Sequence, residues 1–211
     1  MTSETEIKAA TTSERLDLAD VLSTLPPHRW DEATLCEGWR VRETVAHITM
    51  PFRYSAAQFL LGMLKARGSF NRMADRAARR DAVTMTPEEL VASLKDNATF
   101  EWKPPGGGLV GALSHDVIHG LDITTALGLD RVVPPDRLDA VLNSIDARRV
   151  AYFGVDLKGV ELRADDLEWS FGSGTPLTGN AQDLLLVLCG RKLPAGRLHG
   201  EPGRRFTRTN G

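Results

Sequence analysis

Residues 109–122, LVGALSHDVIHGLD, place two histidines four positions apart in a mostly apolar run. Residues four apart on a helix share a face with Cβ atoms about 6 Å apart, so His115 and His119 can reach one ion at zinc–nitrogen distances of about 2.0–2.1 Å. The spacing is that of the HExxH motif, although Asp116 stands where that motif has glutamate. Two interpretations stay open: a metal-binding pair, or two helix histidines bonded to neighbours or solvent.

A catalytic metal site needs a third ligand, and the chain has 5 histidines. His28 lies in a proline turn and His199 lies near the C-terminus, whereas His47 lies on a predicted helix beside an apolar stripe. One histidine on one helix and an HxxxH pair on another form a three-histidine site inside a bundle. Three nitrogen ligands leave a fourth position for water or substrate. The spacing permits this site, with an ordinary core histidine as the alternative for His47.

Helix signals predict a bundle over residues 1–153. Capping boxes, proline positions and apolar stripes at a period near 3.6 residues mark the helices. Thr11 and Glu14 predict the start of a first helix, and a second helix is predicted from Val41 to Ala66, with a kink after His47 caused by Pro51. Thr86, Pro87 and Glu89 predict the start of a third helix. The helix of the two histidines is predicted to end at Gly128, and a fifth helix carries Leu138, Val141, Leu142 and Ile145.

The pattern changes over residues 154–211. Residues 159–174, GVELRADDLEWSFGSG, alternate like strands around a turn, and residues 180–191, NAQDLLLVLCGR, are typical of one buried helix. We therefore predict two domains, a helical bundle over residues 1–153 and a small α+β domain over residues 154–211.

The composition excludes several classes of protein. The formal net charge is -2, which gives no reason to expect a nucleic-acid partner, and the arginines near residue 78 are interpreted as a solvated face. No apolar run reaches the roughly 20 residues that a membrane helix needs. The polar, acidic start is unlike a signal peptide, so a cytoplasmic location is expected. Cys36 and Cys189 form no CxxC pattern, so neither a disulfide framework nor a cysteine zinc site is predicted.

Three stretches resemble, in order, the motifs of the mycothiol-dependent maleylpyruvate isomerase family, part of the DinB-like metal-binding superfamily. They are residues 35–49, LCEGWRVRETVAHIT; residues 115–128, HDVIHGLDITTALG; and residues 177–191, LTGNAQDLLLVLCGR. The resemblance spans most of the chain. It implies a mainly α fold, in which a DinB-like four-helix bundle is followed by a small α+β C-terminal segment.

The resemblance implies that His47, His115 and His119 bind a divalent metal, most often zinc, with nickel or manganese as alternatives. The isomerases of the family carry glutamate at the position of His115, while other DinB-like members use three histidines. Imidazole is a good zinc ligand. The change therefore preserves metal binding and weakens the case for the isomerase reaction itself.

Further residues are candidates around the metal. Ligating histidines usually donate their other N–H to a carboxylate or carbonyl; Asp122 is favoured for this role and Asp116 is the second choice, with a surface or helix-end position as the alternative. The resemblance implies that Arg191 binds the thiol, because arginine pairs with carboxylates and sugar hydroxyls. The alternative for Arg191 is a helix-end arginine that binds free carbonyls. Trp39 and Arg42 are weaker candidates for the thiol pocket.

We predict a metal-dependent thiol transferase or isomerase-like enzyme. Its metal activates a low-molecular-weight thiol, mycothiol by resemblance, which attacks a small electrophilic substrate. Two alternatives share the ligands: a metal-assisted hydrolase, and a non-catalytic metal-binding or stress-response protein. The sequence singles out no further catalytic side chain, and it is compatible with a homodimer.

Overall fold

The computed structural model describes residues 3–208, which form two compact units, one up to Ile123 and one from Thr124. The predicted mainly α fold with a small C-terminal α+β part is confirmed. The helices are α1 (Glu4–Ser23), α2 (Val41–Arg53), α3 (Ala56–Lys65), α4 (Phe70–Thr84), α5 (Pro87–Asp96), α6 (Gly108–Ala126), α7 (Pro135–Leu142), α8 (Ala147–Phe153) and α9 (Ala181–Leu188), and the strands are β1 (Val160–Ala164), β2 (Ser170–Gly172) and β3 (Thr175–Gly179). In this part of the chain, none of the helices is long and apolar enough to cross a membrane.

The first helix begins about two turns earlier than predicted, at Glu4 instead of near Thr11. Ser3 caps α1, because its hydroxyl accepts the N–H of Glu6 while the Glu6 carboxylate accepts the N–H of Ser3. Thr11 lies inside the helix, where its hydroxyl donates to the carbonyl of Ile7 at 2.8 Å. The prediction of a start at Thr11 was wrong because the sequence holds two capping boxes and no helix breaker separates them.

The predicted single helix from Val41 to Ala66 is also wrong, since α2 ends at Arg53. Pro51 supplies no N–H to the helix ladder, and Tyr54 is extended, with φ −100° and ψ 125°. Ser55 then starts α3 by accepting the N–H of Gln58. A new cap close behind the proline turns the expected kink into a break.

Other helix predictions are confirmed in part. Thr86 caps α5 with Pro87 at its first position and Glu89 completing the box. The helix α7 ends at Leu142, before Ile145. The helix α4 was not predicted, although the expected solvated face is there: its outer side carries exposed arginines and its inner side buries Met73, Ala74, Ala77, Ala78 and Ala82.

Packing in the first unit holds the two histidine-bearing helices in place. The helix α2 packs against α4 and α5, and α1 packs against α5. Each buried aliphatic side chain contributes roughly 1.5–3 kcal/mol to this core. The fully buried side chains that hold α1, α2, α5 and α6 include Leu18, Leu22, Val45, Ile48, Leu90, Leu94, Leu113, Val117 and Leu121.

The second unit carries a three-stranded sheet in the order β2-β1-β3, with β2 antiparallel and β3 parallel to β1. Leu162 and Leu177 are paired and buried, and α9 packs against β1 and β3. The predicted strands and buried helix are therefore confirmed. The predicted domain boundary after residue 153 coincides with the end of α8, the last helix before the sheet. That two domains meet at this residue stays a prediction.

Candidate metal centre

Three histidine rings meet between α2 and α6. The ring centroids of His47, His115 and His119 are 4.9 Å apart in all three pairs. Nε2 of His115 lies 3.2 Å from Nε2 of His47. His47 is 6% exposed, and the side chains of His115 and His119 are 16% and 14% exposed. The cluster therefore lies at the edge of the core, and the side chains of His115 and His119 on α6 are partly exposed to solvent.

A buried carboxylate orients His115. Oδ1 of Asp116 lies 2.9 Å from Nδ1 of His115, and the Asp116 side chain is 0% exposed. With the Nδ1 proton donated to this carboxylate, the lone pair of His115 is on Nε2 and faces the other two rings. Asp116 was the second choice from the sequence for a carboxylate that orients a metal-binding histidine, and it lies beside His115.

Arg15 holds Asp116 from the opposite side. Its Nε donates to Oδ2 of Asp116 at 2.7 Å, and its Nη1 donates to three carbonyl oxygens of residues 97–100, the nearest on Phe100 at 2.7 Å. Arg15 is 1% exposed. Arg15 was not predicted as part of the site. It shares the helix face of Leu18 and Leu22, at spacings of three and seven residues, and that position was the available signal.

A second carboxylate orients His119. Oδ2 of Asp122 lies 3.0 Å from Nδ1 of His119, and the Asp122 side chain is 0% exposed. The Cys36 thiol donates to the same oxygen at 3.3 Å, with its sulfur 3.7 Å from Nδ1 of His119. Cys36 was not predicted to lie in the site, because the residue belongs to no metal-binding spacing pattern. Cys36, His119 and Asp122 also form a group close enough to hold a cation.

Two tryptophans flank the histidines. The Trp39 ring lies 5.0 Å from the ring of His47 and donates its Nε1 proton to Asp75 at 2.9 Å. The Trp102 ring meets His115 edge-on at 5.2 Å. Trp39 was a sequence candidate for the thiol pocket and lies beside the cluster, whereas Trp102 was not predicted.

The two arginines that were candidates for binding the thiol make contacts with groups other than the three histidines. Arg42 forms an ion pair with Asp31, with Nε 2.9 Å from the carboxylate, and donates to the carbonyl of Ala82. In the second unit, Nη1 of Arg191 donates to the carbonyl of Cys189 at 2.8 Å. This is the contact expected for a helix-end arginine, so the role of Arg191 in thiol binding stays a prediction.

The three histidines fit a divalent metal ion. Two nitrogens bound to tetrahedral zinc at about 2.0–2.1 Å are separated by roughly 3.3–3.4 Å, close to the 3.2 Å between the two Nε2 atoms. One ligand atom from each ring lies within 4.8 Å of the others, and carboxylates occupy the opposite edge of both α6 rings. A direct imidazole–imidazole hydrogen bond is the alternative explanation of the short contact.

Comparison with known proteins agrees with the sequence motifs. Residues 12–99 match the model of the mycothiol maleylpyruvate isomerase N-terminal domain family. The chain resembles the crystal structure of a mycothiol-dependent maleylpyruvate isomerase at a TM-score of 0.54 and 15% identity, covering 94% of this chain and 92% of that one. A mutant of that isomerase matches at the same TM-score, 0.54, and 14% identity. At these identities the likeness establishes the fold. No curated protein sequence matches the chain significantly.

Proposed function

Because residues 12–99 match the family model of the mycothiol maleylpyruvate isomerase N-terminal domain, we propose that the protein is a metal-dependent enzyme that uses a low-molecular-weight thiol. Mycothiol is the first candidate, and the reaction is a transfer to, or an isomerisation of, a small electrophile. The observation that carries the proposal is the convergence of His47, His115 and His119, with buried carboxylates holding the Nδ1 atoms of two of them.

The three imidazoles would hold the ion, with zinc as the first candidate and nickel or manganese as alternatives. When bound, a divalent ion supplies the positive charge that lowers the pKa of a coordinated thiol and keeps it as a thiolate at neutral pH. Three protein ligands leave a fourth position for that thiol. The partial exposure of His115 and His119 provides the side from which it approaches.

The surrounding residues set the direction and the protonation of the ligands. Asp116 and Asp122 accept the Nδ1 protons, so the Nε2 lone pairs of His115 and His119 are directed to the centre. Arg15 keeps the Asp116 carboxylate in one orientation through its Nε contact. Trp39 packs against His47 and excludes water from that side of the ring.

The histidine at position 115 affects which reaction is expected. The resemblance implies glutamate at this position, and a neutral imidazole in its place means that the site carries one negative charge less. Three-histidine metal sites with an open position also activate water. The change from glutamate weakens the case for the isomerase reaction itself, and a metal-assisted hydrolase is the second candidate. A protein that binds metal without turnover is the third.

The test combines metal content with thiol dependence. Protein purified without chelator should contain about one divalent ion per chain and should consume a generic electrophile only when a low-molecular-weight thiol is added. His119→Ala should lose both properties, and His28→Ala is the matched control that should keep both. Thiol-independent hydrolysis would favour the second candidate. Full metal occupancy in His119→Ala would rule out the site.

A further inference from the structure

The helix α3 exposes a stripe of leucines to solvent. Leu60, Leu61 and Leu64 are 61%, 52% and 67% exposed. Together with the exposed Ala57, they follow the i, i+3, i+4, i+7 spacing of one helix face. No residue of α3 is buried. Single exposed apolar side chains are ordinary on a protein surface, whereas a contiguous apolar patch marks an interaction site.

The opposite side of α3 already attaches the helix to the fold. Phe59 and Met63 pack against a buried cluster that includes Met50 and Met73, and the Phe59 ring lies 6.4 Å from the ring of Phe70 on α4. The helix is therefore apolar on both sides. The leucine stripe is not needed to hold α3 in place, so its exposure calls for a partner outside the described part of the chain.

Positive charges lie at the C-terminal end of the stripe. Lys65 ends α3, and Arg67 lies in the turn that follows, where its N–H donates to the carbonyl of Leu64 at 3.0 Å. Nη1 of Arg76 on α4 donates to the carbonyl of Lys65 at 3.0 Å. All three cations are exposed, and none of them forms an ion pair within the described part of the chain. Residues 44–74 contain neither Asp nor Glu.

These features favour a lipid surface over another protein. A second copy docked through the same face would bring no carboxylate to the cations, because residues 44–74 contain none. Protein interfaces carry about one hydrogen bond per 100–200 Å², and residues 59–64, FLLGML, offer no polar side chain for one. An anionic lipid surface requires no such bonds, since it takes up leucines at the boundary of headgroups and acyl chains and attracts cations.

We propose that α3 docks the protein onto an anionic lipid surface. The three leucines lie at the boundary of headgroups and acyl chains, and the three cations lie beside lipid phosphates. The helix has 10 residues, about half of the roughly 20 needed to cross a bilayer, so the contact is peripheral. This proposal goes beyond the function proposed above and does not depend on it.

Cosedimentation of the full-length protein with lipid vesicles tests the docking. Vesicles of phosphatidylglycerol and phosphatidylcholine in equal parts should bind the protein, and vesicles of phosphatidylcholine alone should bind it at least about ten-fold more weakly. Added salt should weaken the binding, because it screens exposed charges. Leu60→Gln/Leu64→Gln should lower the affinity for the mixed vesicles at least about ten-fold, since both side chains lose their apolar contact with lipid.

Two further variants separate the apolar contribution from the charge. Val132→Gln/Tyr152→Gln is the matched control, since both residues are largely exposed apolar side chains outside α3, and it should bind as wild type. Lys65→Gln/Arg67→Gln should bind the mixed vesicles about five-fold more weakly for each cation removed. All of these positions are exposed, so the Tm of every variant should stay near wild type, which verifies that the fold is intact.

Four results would overturn the proposal. They are no binding to the mixed vesicles, equal binding to both kinds of vesicle, wild-type affinity in the leucine variant, and a loss of affinity in the control as large as that in the leucine variant. Sedimentation velocity without lipid tests the other occupant. A wild-type dimer that the leucine variant cannot form would assign the stripe to a second copy of the chain and would also overturn docking to lipid.

Discussion

Nε of Arg15 and Oδ2 of Asp116 lie 2.7 Å apart in the core, and their side chains are 1% and 0% exposed. The other oxygen of the same carboxylate accepts the Nδ1 proton of His115. One aspartate therefore serves both the stability of the first unit and the orientation of a candidate metal ligand. The two roles can be separated, because Arg15 binds one oxygen of the carboxylate and His115 binds the other.

Asp116→Asn should affect both roles. It leaves the buried Arg15 charge uncompensated, so the free energy of unfolding should fall by about 3–5 kcal/mol, and metal affinity should fall about 10-fold or more. The double variant Arg15→Met/Asp116→Asn should recover part of the stability, since no buried charge remains, but none of the metal affinity. Denaturant unfolding and competitive metal titration measure the two effects. Wild-type metal affinity in Asp116→Asn would contradict the assigned role.

His115→Glu introduces the residue that the sequence resemblance implies at this position in the mycothiol-dependent isomerases. A carboxylate is also a zinc ligand, so the variant should still bind about one ion per chain, while His115→Ala should bind more weakly. The added negative charge should make the thiol harder to ionise, which raises the pH at which thiol-dependent turnover reaches half its maximum. Metal analysis and a pH–rate profile test this. A profile that stays in place or moves to lower pH would count against thiol activation at this centre.

Glu43 makes stability depend on pH. Burial acts to raise the pKa of this carboxyl, but hydrogen bonds from the side chain and backbone of Arg40 outweigh burial and lower the pKa below 4.5. A lowered pKa in the folded state gives stability that is present above pH 4.5 and is lost as the pH falls through the folded-state value. The stability advantage of wild type over Glu43→Gln should therefore shrink on acidification, as followed by urea unfolding. A constant difference between pH 7 and roughly pH 3 would refute this.

Tyr54 should ionise at unusually high pH. Burial, followed by a hydrogen bond to Asp81, raises the pKa of its phenol to about 12. An acid whose folded-state pKa is raised loses stability as the pH rises from its unfolded pKa through the folded value. In a Tyr152→Phe background, which leaves Tyr54 as the single tyrosine, phenolate absorbance reports this group alone. Asp81→Asn should move the transition to lower pH; an unmoved transition would exclude the aspartate as a cause.

The sequence predicted the parts of the site that depend on local spacing. His115 and His119 follow from a four-residue period on one helix, and the place of His47 follows from its apolar stripe together with the family motif. Asp116 and Asp122 follow because they are neighbours of those histidines in the chain. The structure brings all five together, and their roles toward a metal stay a proposal.

The remaining parts depend on contacts that no local pattern encodes. Arg15 meets Asp116 across 101 positions of sequence, and Cys36 meets Asp122 across 86. An arginine is expected to be exposed, so only its place on the apolar face of α1 suggested otherwise. The wrongly predicted start of α1 has a local cause, because two sequences of the capping-box form lie within one uninterrupted helical segment.

Arg191 gives the sharpest test of the thiol part of the proposal. Its Nη1 donates to the carbonyl of Cys189, and the planar guanidinium is a group suited to binding a carboxylate or a sugar hydroxyl. If Arg191 binds the thiol, Arg191→Ala should raise the KM for the thiol about 10-fold, the loss of one charge-assisted hydrogen bond, while metal content and Tm stay near wild type. Lys192→Ala, an exposed neighbouring cation, is the matched control for a general effect of charge. A lowered Tm with unchanged KM would instead assign Arg191 to the end of α9 alone.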